Sequence, residues 1–432
     1  MAQKDILIEE QLEISTRTGA AAPIQLPPGF LSIFPAFAHR NFQLYVAGQA
    51  ISLVGFWLHQ VASGWLVFEL TGSAFWIGTT AAIGGLPFLI FTTFAGVFID
   101  KLNKQKLLIA TQAIEAIIAI LLGILVLTGH VTLTIVIALA FLNGIVGAID
   151  LPTRLTFIVE MVGKRDLASA IPINNGIFNA ARFIGPALAG IIITTYGIGW
   201  PFILNGLSFI AGIWAINSIR PIYSYKADVD TRPLESLKTG LQFAFGHEKI
   251  FYFIILGFAS AILIWPFQTL MPIIAQKVFT AGANGYGSLL SAAGAGSLAG
   301  AIFTSAMARR ENKIGFILIG LLISSISLVL FSINRNFLVA HLLLALGGFG
   351  ILMKVSTLNT LVQLASPDQM RARVMAVYLT MFVGMMPLGN QLAGIIAHKT
   401  SAMFTIGLGS VLMMMLGLIL YLRGVFTNLS SK

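Results

Sequence analysis

The sequence contains no cysteine and very little charge. Only 10% of its 432 residues are Asp, Glu, Lys or Arg, whereas soluble domains carry about 25%. Without a thiol, the chain cannot form disulfides, cysteine-ligated zinc sites or iron–sulfur clusters. With so few charges it cannot cover a water-exposed surface of this size, and 57% of its residues are apolar. These shortages exclude a cytosolic enzyme and a secreted disulfide-bonded protein, and they indicate that lipid is the main solvent.

Twelve apolar stretches are long enough to cross a membrane as helices, since about 20 residues span the hydrocarbon core. They lie near 41–68, 74–98, 107–128, 131–150, 171–195, 200–219, 250–275, 285–307, 314–333, 337–360, 374–397 and 402–422. The sequence therefore predicts an all-α polytopic membrane protein. Its parts are an N-terminal tail (1–39), a six-helix bundle (40–219), a polar linker (220–248), a second six-helix bundle (249–423) and a short tail (424–432).

Basic residues are distributed unevenly between the two sides of the predicted membrane. If the N-terminus is cytoplasmic, 21 of the 26 Lys and Arg residues fall in inner loops or tails, and only Lys277, Arg335 and Lys399 fall outside. This bias follows the positive-inside rule, so we predict a multi-pass protein of the bacterial inner membrane with both termini in the cytoplasm. The same bias accounts for the net charge of +10 without a nucleic-acid partner.

The two sets of six spans carry similar segments in corresponding positions. Arg182–Gly190 follows the loop after span 4, and Pro387–Gly394 follows the loop after span 10 at nearly the same spacing. Matching segments at one place in both halves indicate an internal duplication, as in many transporter folds. We therefore expect two pseudo-symmetric bundles.

The loop after span 2 carries a pattern that we recognise. Gly96 is followed after three residues by Asp100 and Lys101, and then by further basic residues. This resembles the signature loop of the major facilitator superfamily, from which it departs at Asn103 and Gln105. A second motif lies in span 5, where Gly185-Pro186-Ala187-Leu188-Ala189-Gly190 resembles the glycine–proline motif of exporters in that superfamily.

Three further segments resemble the enterobactin-exporter-like subfamily, also called transmembrane secretion effectors. They are Gly64–Ser73, Asp150–Arg154 and Ser366–Arg373. The resemblance implies the major facilitator fold, in which two six-helix bundles tilt around a central cavity lined by spans 1, 4, 7 and 10. It also implies a monomer in membrane lipid that moves a small-molecule substrate, exchanges it for protons, and needs neither cofactor nor metal.

The signature loop predicts a conformational latch on the cytoplasmic side. By the duplication, Asp100 at the end of span 2 faces the start of span 11, which Arg371 and Arg373 precede. A carboxylate is stabilised by a nearby cation or helix N-terminus, so this pairing, with Gly96 and Lys101 in the same loop, would hold that side shut. In the alternative interpretation, the lysines only anchor the topology on anionic lipid.

Charged residues inside spans are costly and are therefore candidate functional sites. Arg182 lies near the midplane of span 5, Glu115 lies in span 3, and Asp150 ends the predicted span 4. We predict these three as proton-coupling candidates. A buried carboxyl can carry a proton, whereas the guanidinium of Arg182 cannot lose its own and must find a carboxylate, carbonyl groups, water or an anionic substrate. The alternatives are a structural ion pair for Arg182, a structural partner role for Glu115 behind the cavity, and pairing of Asp150 with Arg154.

A polar stripe along span 1 predicts part of the cavity lining. The stripe contains Gln49, Ser52, Phe56 and Gln60 at helical spacing, and we add Asn143, Trp265, Gln268, His341 and Lys354 from other lining spans. The alternative for the stripe is polar contact between helices. Lys354 is also close enough to the inner surface to extend its amine to water. His341 and His59 either form a pH-sensing pair or are two unrelated interfacial histidines.

The sequence predicts a secondary active transporter, not an enzyme. It lacks a His-Glu-x-x-His motif, a Gly-x-Ser-x-Gly motif and a phosphate-binding Gly-x-x-x-x-Gly-Lys-Ser/Thr loop. We predict proton-coupled export of a small amphipathic organic molecule, either a siderophore or a drug-like compound. The open alternatives are an importer or facilitator for a siderophore or nutrient, and a lipid-flipping transporter of the same fold.

Overall fold

The structure is a computed structural model and describes residues 29, 34–99, 102–220, 233–307 and 313–426. In that part of the chain, twelve helices are long and apolar enough to cross a membrane, which confirms the predicted all-helical membrane fold. Spans 1–12 are Arg40–Thr71, Ala74–Ile99, Lys104–Leu127, Leu133–Gly163, Arg165–Tyr196, Trp200–Ser218, Glu248–Lys277, Gly282–Ala306, Lys313–Ile333, Phe337–Ala365, Asp368–Lys399 and Ala402–Leu422. A short 3₁₀ helix, Pro35–Ala38, precedes span 1, and a linker helix, Pro233–Gly246, precedes span 7.

Each half contains six spans, so the start of span 1, the linker helix and the end of span 12 lie on one side of the bundle. We call this the linker side and the opposite one the far side. Spans 1–6 form the first half, and spans 7–12 form the second half.

Spans 4 and 5 are longer than predicted, and the predicted loop between them is wrong. Span 4 continues to Gly163, where a positive φ of 70° turns the chain directly into span 5. The added turns bury Phe157 in a cluster with Phe42 of span 1. Their polar residues also find partners, as in the 2.9 Å ion pair between Lys104 and Glu160. A charge that ends an apolar run therefore does not end a helix when a neighbouring span neutralises it.

Spans 7 and 11 are irregular near their middles. Span 7 consists of Glu248–Ala259, a π-helical turn Ser260–Ile264 and Phe267–Lys277, and span 11 consists of Asp368–Phe382 and Met386–Lys399. Pro266 and Pro387 lie where the second segments begin, a position at which the missing N–H of proline costs little. Near the two irregular points, the rings of Trp265 and Phe382 meet edge to face at 5.6 Å.

Backbone contacts between the halves extend from the far side to about the middle of the bundle. Span 2 packs on span 11, where a Cβ atom at Gly78 would lie 2.8 Å from the Cα atom of Gly394. Span 5 packs on span 8, where a Cβ atom at Gly190 would lie 3.0 Å from the Cα atom of Asn284. Helices approach this closely only where one of them carries no side chain.

Side chains complete the closure of the far side. The ring of Trp65 in span 1 stacks on that of Tyr286 in span 8, with centroids 6.0 Å apart and planes at 21°. Lys277 Nζ donates a 3.0 Å hydrogen bond to the carbonyl oxygen of Gly72. Far-side contacts therefore tie the first half to the second half at several independent points.

Candidate functional site

A buried ion pair connects three spans of the first half. Arg154 Nε donates a 2.8 Å hydrogen bond to Asp150 Oδ2, and Thr111 of span 3 donates a 2.8 Å bond to Asp150 Oδ1. A second guanidinium nitrogen of Arg154 also contacts Asp150, and a third bonds to Gln49 of span 1. Both charged side chains are almost fully buried, at 8% and 11% exposure. The predicted pairing of Asp150 with Arg154 is therefore confirmed.

Glu115 lies next to this ion pair without joining it. It follows Thr111 by one helical turn on span 3, and it interacts electrostatically with Asp150 and Arg154. Within the described residues, its carboxyl group has no hydrogen bond or ion pair. The structure thus brings two of the three predicted proton-coupling residues together. We call Gln49, Thr111, Glu115, Asp150 and Arg154 the first-half network.

Arg182 lies apart from that network, where the two halves meet. Its guanidinium carbon is 5.7 Å from the ring centroid of Trp57 in span 1 and 5.2 Å from that of Trp265 in span 7. The residue is 5% exposed, and in the described part of the chain its side chain has neither an ion pair nor a hydrogen bond. Its backbone packs on span 8 at Gly294. The structural ion pair proposed as an alternative for Arg182 is therefore not formed among the described residues.

More aromatic rings extend this arrangement on both sides. The ring centroid of Phe178 lies 5.8 Å from that of Trp57, and the ring centroid of Phe382 in span 11 lies 5.6 Å from that of Trp265. Two hydrogen-bond donors on the same spans, Trp57 Nε1 and, one turn after Trp265, Gln268 Nε2, are buried without a partner among the described residues. We call Trp57, Phe178, Arg182, Trp265, Gln268 and Phe382 the central aromatic site.

Sequence reasoning found Arg182, Trp265 and Gln268 but missed Trp57 and the two phenylalanines. The predicted stripe on span 1 followed polar residues, and Trp57 is not one of them. The available signal was its position, because tryptophan is typical of membrane interfaces and Trp57 lies in the middle of its span.

The predicted stripe on span 1 does not form one continuous lining. Gln49 belongs to the first-half network, and Ser52 is 3% exposed inside the first half. Phe56 is half-buried against Trp57, and Gln60 is exposed. The face of span 1 is set by Gly48 and Gly55, which pack against span 6 and turn the first part of the stripe inward. Asn143 is half-buried in span 4.

The structure distinguishes between the interpretations that the sequence left open for His341 and for Lys354. His341 bonds through Nε2 to Ser288 of span 8 at 3.0 Å, whereas His59 packs on Phe202 of span 6, so the two histidines form no pair. Lys354 is fully buried, and its Nζ has no hydrogen-bond partner in the described chain. The interpretation that its amine reaches the surface is wrong, because the whole residue is buried and its backbone packs on span 9 at Gly320.

The glycine–proline motif of span 5 contacts two neighbours. A Cβ atom at Gly185 would overlap the side chain of Trp57 in span 1. Gly190 and the carbonyl oxygen of Pro186 pack against span 8, the latter at Gly287. The motif therefore holds span 5 between the two halves.

The predicted latch is described only in part. Asp100 and Lys101 lie outside the described residues, and Gly96 lies within span 2. Arg371 forms a 2.6 Å ion pair with Asp368 and donates a 3.1 Å hydrogen bond to the carbonyl oxygen of Gln363, while the backbone of Arg373 packs on the linker helix. The described contacts of Arg371 are thus with the end of span 10 and the start of span 11. The latch stays a prediction.

Twelve membrane spans in two halves, with a charged network in one half and an aromatic site between them, are the features of a major facilitator transporter. The chain matches the transmembrane secretion effector family over residues 31–430 and belongs to it. This confirms the predicted resemblance, and it makes the protein a multi-pass membrane transporter of small molecules and not an enzyme.

Known proteins of similar sequence include transporters of two kinds. The staphyloferrin A transporter of Staphylococcus aureus is 22% identical over 82% of this chain and 88% of its own length. The multidrug efflux pump Tap of Mycolicibacterium fortuitum is 25% identical over 86% of this chain and 91% of its own length. Among solved structures, the nucleoside transporter NupG superposes with a TM-score of 0.69 at 12% identity, covering 91% of this chain and 99% of that one. That likeness shows the fold.

Proposed function

We propose that this protein is a secondary active transporter of the bacterial inner membrane that exports a small amphipathic organic molecule in exchange for protons. The observation that carries the proposal is the first-half network, which contains three ionisable groups on spans 3 and 4 and a bond to Gln49 of span 1, in a bundle whose far side is closed. Two similar relatives are named for a siderophore and for drug efflux, which supports an organic cargo.

A closed far side is what the cargo-loading state of an exporter requires. The bias of basic residues assigns the linker side to the cytoplasm. With that orientation, the contacts between Trp65 and Tyr286 and between Gly78 and Gly394 close the external side. An alternating-access transporter in this state receives cargo from the cytoplasm.

Within the network, Glu115 is the residue that we assign to proton binding and release. A proton added to Asp150 would disrupt its ion pair with Arg154 and its bond from Thr111. A proton added to Glu115 breaks no hydrogen bond among the described residues, yet Asp150 and Arg154 are close enough to sense it. A single titration there can therefore change the electrostatic balance of spans 1, 3 and 4.

The proposal is tested by flux in proteoliposomes under an imposed pH gradient. Two permanently charged aromatic probes, 2-naphthalenesulfonate and ethidium, cover both signs of cargo charge. We expect uphill movement of at least one probe, in the export direction, that stops when the gradient is collapsed. Glu115→Gln should lose the uphill movement and keep downhill exchange, whereas Glu248→Gln, an exposed carboxyl of the second half, should behave as wild type. Uphill flux that survives collapse of the gradient would disprove proton coupling, and movement in the opposite direction would support the importer.

A further inference from the structure

The charge of Arg182 is not balanced by any acidic residue that the structure describes. The described acids of the first half have other neighbours: Glu69 bonds to Trp65, Glu160 to Lys104 and Asp166 to His39, while Glu115 and Asp150 adjoin Arg154. In the described second half, the acids Glu248 and Asp368 begin spans 7 and 11 on the linker side. Arginine stays protonated in proteins, so its charge remains buried between the two halves.

We propose that the central aromatic site binds an anionic aromatic compound, whose acidic group pairs with Arg182 and whose ring stacks on Trp57 or Trp265. The inference rests on the proposed transport function for its biological meaning, but binding itself can be measured without transport. It specifies the class of cargo: an acidic, ring-bearing organic molecule.

The geometry of the guanidinium supports an anion as the partner. Two indole rings flank Arg182 at 5.7 Å and 5.2 Å, and they stabilise the cation without satisfying its N–H groups. Those N–H groups form a planar fork that matches a carboxylate with two parallel hydrogen bonds. The site therefore holds the cation in place and leaves its hydrogen-bonding capacity for a ligand.

Two unpaired donors of the helices that carry the indole rings, Trp57 Nε1 and Gln268 Nε2, favour the same class of ligand. Trp57 Nε1 can only donate a hydrogen bond, and Gln268 Nε2 is also a donor. Both are buried without a partner in the described chain, which is costly until an acceptor arrives. A ligand rich in oxygen acceptors satisfies all three residues, whereas a cationic ligand would meet one buried positive charge and two donors.

The ring of the ligand has an exposed aromatic surface on which to stack, that of Phe178, whereas Phe382 supports Trp265 from a buried position. Phe178 is 39% exposed beside Trp57, and Phe382 lies edge to face with Trp265. Aromatic contacts of this kind contribute about 0.5–1.5 kcal/mol each beyond burial. Because Arg182 lies against Trp57 of the first half and Trp265 of the second, a ligand paired with Arg182 lies where the halves meet, so its binding is linked to their relative position.

Three probes with one ring system test the inference by calorimetry on the full chain in detergent near neutral pH. They are 2-naphthoate, its uncharged amide, and 2-naphthylmethylammonium. We expect 2-naphthoate to bind at least tenfold more tightly than the amide, and the ammonium to bind most weakly. Arg182→Gln should remove the preference for the anion, and Arg182→Lys should restore only part of it, because an ammonium lacks the bidentate fork.

Lys354→Gln is the matched control, since Lys354 is a second buried cation without a hydrogen-bond partner among the described residues. It should leave the preference for the anion intact. Equal binding of the three probes, a preference that persists in Arg182→Gln, or a preference lost in Lys354→Gln would each overturn the inference. Trp265→Phe keeps an aromatic ring at this position and should lower the affinity for 2-naphthoate severalfold. If Arg182→Gln does not fold, the inference is decided by the wild-type order of the probes and by Lys354→Gln.

Failure of this inference is separable from failure of the proposed function. Glu115→Gln should bind 2-naphthoate as the wild type does while losing uphill flux. Binding of the anion without any coupled flux would leave the site intact and reject proton-coupled export. Coupled flux of ethidium with no binding of 2-naphthoate would support proton-coupled export and reject the anion site.

Discussion

Gly287 of span 8 lies directly against the carbonyl oxygen of Pro186 in span 5. A Cβ atom at position 287 would overlap that oxygen, so the two backbones touch. Pro186 belongs to the glycine–proline motif, and like every proline it has no backbone N–H group. This contact, one of several that close the far side, thus requires a missing side chain in one half against a backbone oxygen in the other.

A side chain at Gly287 should open the far side. Gly287→Val forces spans 5 and 8 apart, because a backbone carbonyl cannot move aside as a flexible side chain can. We expect a longer distance between spin labels on Thr71→Cys and Lys399→Cys, measured by pulsed electron paramagnetic resonance, and slower transport. Gly176→Ala in span 5 is the control, since a Cβ atom there has nothing within 4 Å. An unchanged distance distribution in Gly287→Val would show that this contact does not maintain the closure.

A covalent link across the far side should stop transport. Ser73 Oγ and His398 Nδ1 lie 3.4 Å apart in different halves, and the chain has no native cysteine to interfere. Oxidation of Ser73→Cys/His398→Cys should cross-link the halves, abolish flux in proteoliposomes, and be reversed by a reductant. Each single variant under oxidation provides the control. Full flux through the cross-linked protein would contradict alternating access.

Separating the buried ion pair should destabilise the first half strongly. Asp150→Asn leaves the Arg154 guanidinium buried without its carboxylate, which costs about 3–5 kcal/mol in comparable cases. We expect a clear fall in the unfolding midpoint in detergent. The double variant Asp150→Asn/Arg154→Gln should recover much of that loss, because it removes the unpaired charge. Additive effects of the two substitutions would show that the residues do not stabilise each other.

Replacing Lys354 by methionine should stabilise the protein. The ammonium is fully buried with no hydrogen bond in the described chain, and methionine has similar length without a charge to desolvate. A gain of about 1–3 kcal/mol is expected from the cost of burying an unpaired polar group. Lys399→Met at the exposed end of span 11 should change the unfolding midpoint little. Destabilisation by Lys354→Met would mean that the amine has a binding partner.

The membrane architecture followed from the sequence because hydrocarbon thickness sets the length of a spanning helix and makes charge within it costly and rare. The same reasoning failed where neighbours neutralise the charge. Glu160 ends no helix, since Lys104 pairs with it, and span 4 continues past the predicted boundary to Gly163. A hydropathy pattern along one span carries no information about the residues of another.

The contacts of the candidate sites also divide into those that sequence spacing predicts and those that depend on packing between spans. Asp150 and Arg154 are one helical turn apart, so their pairing could be predicted from spacing alone. The inward turn of Gln49 could not, because it depends on how Gly48 and Gly55 pack span 1 on span 6.

The sequence by itself determined that this is a twelve-span membrane transporter, and it placed an arginine in the middle of span 5. Only the tertiary structure decided what surrounds that arginine. Trp57 and Trp265 reach it from opposite halves, and no described carboxylate lies with them. Lipid acts on each residue of a span separately, so the sequence alone predicts the spans. The partner of a buried charge depends instead on which helix faces meet, and packing between distant spans sets those faces.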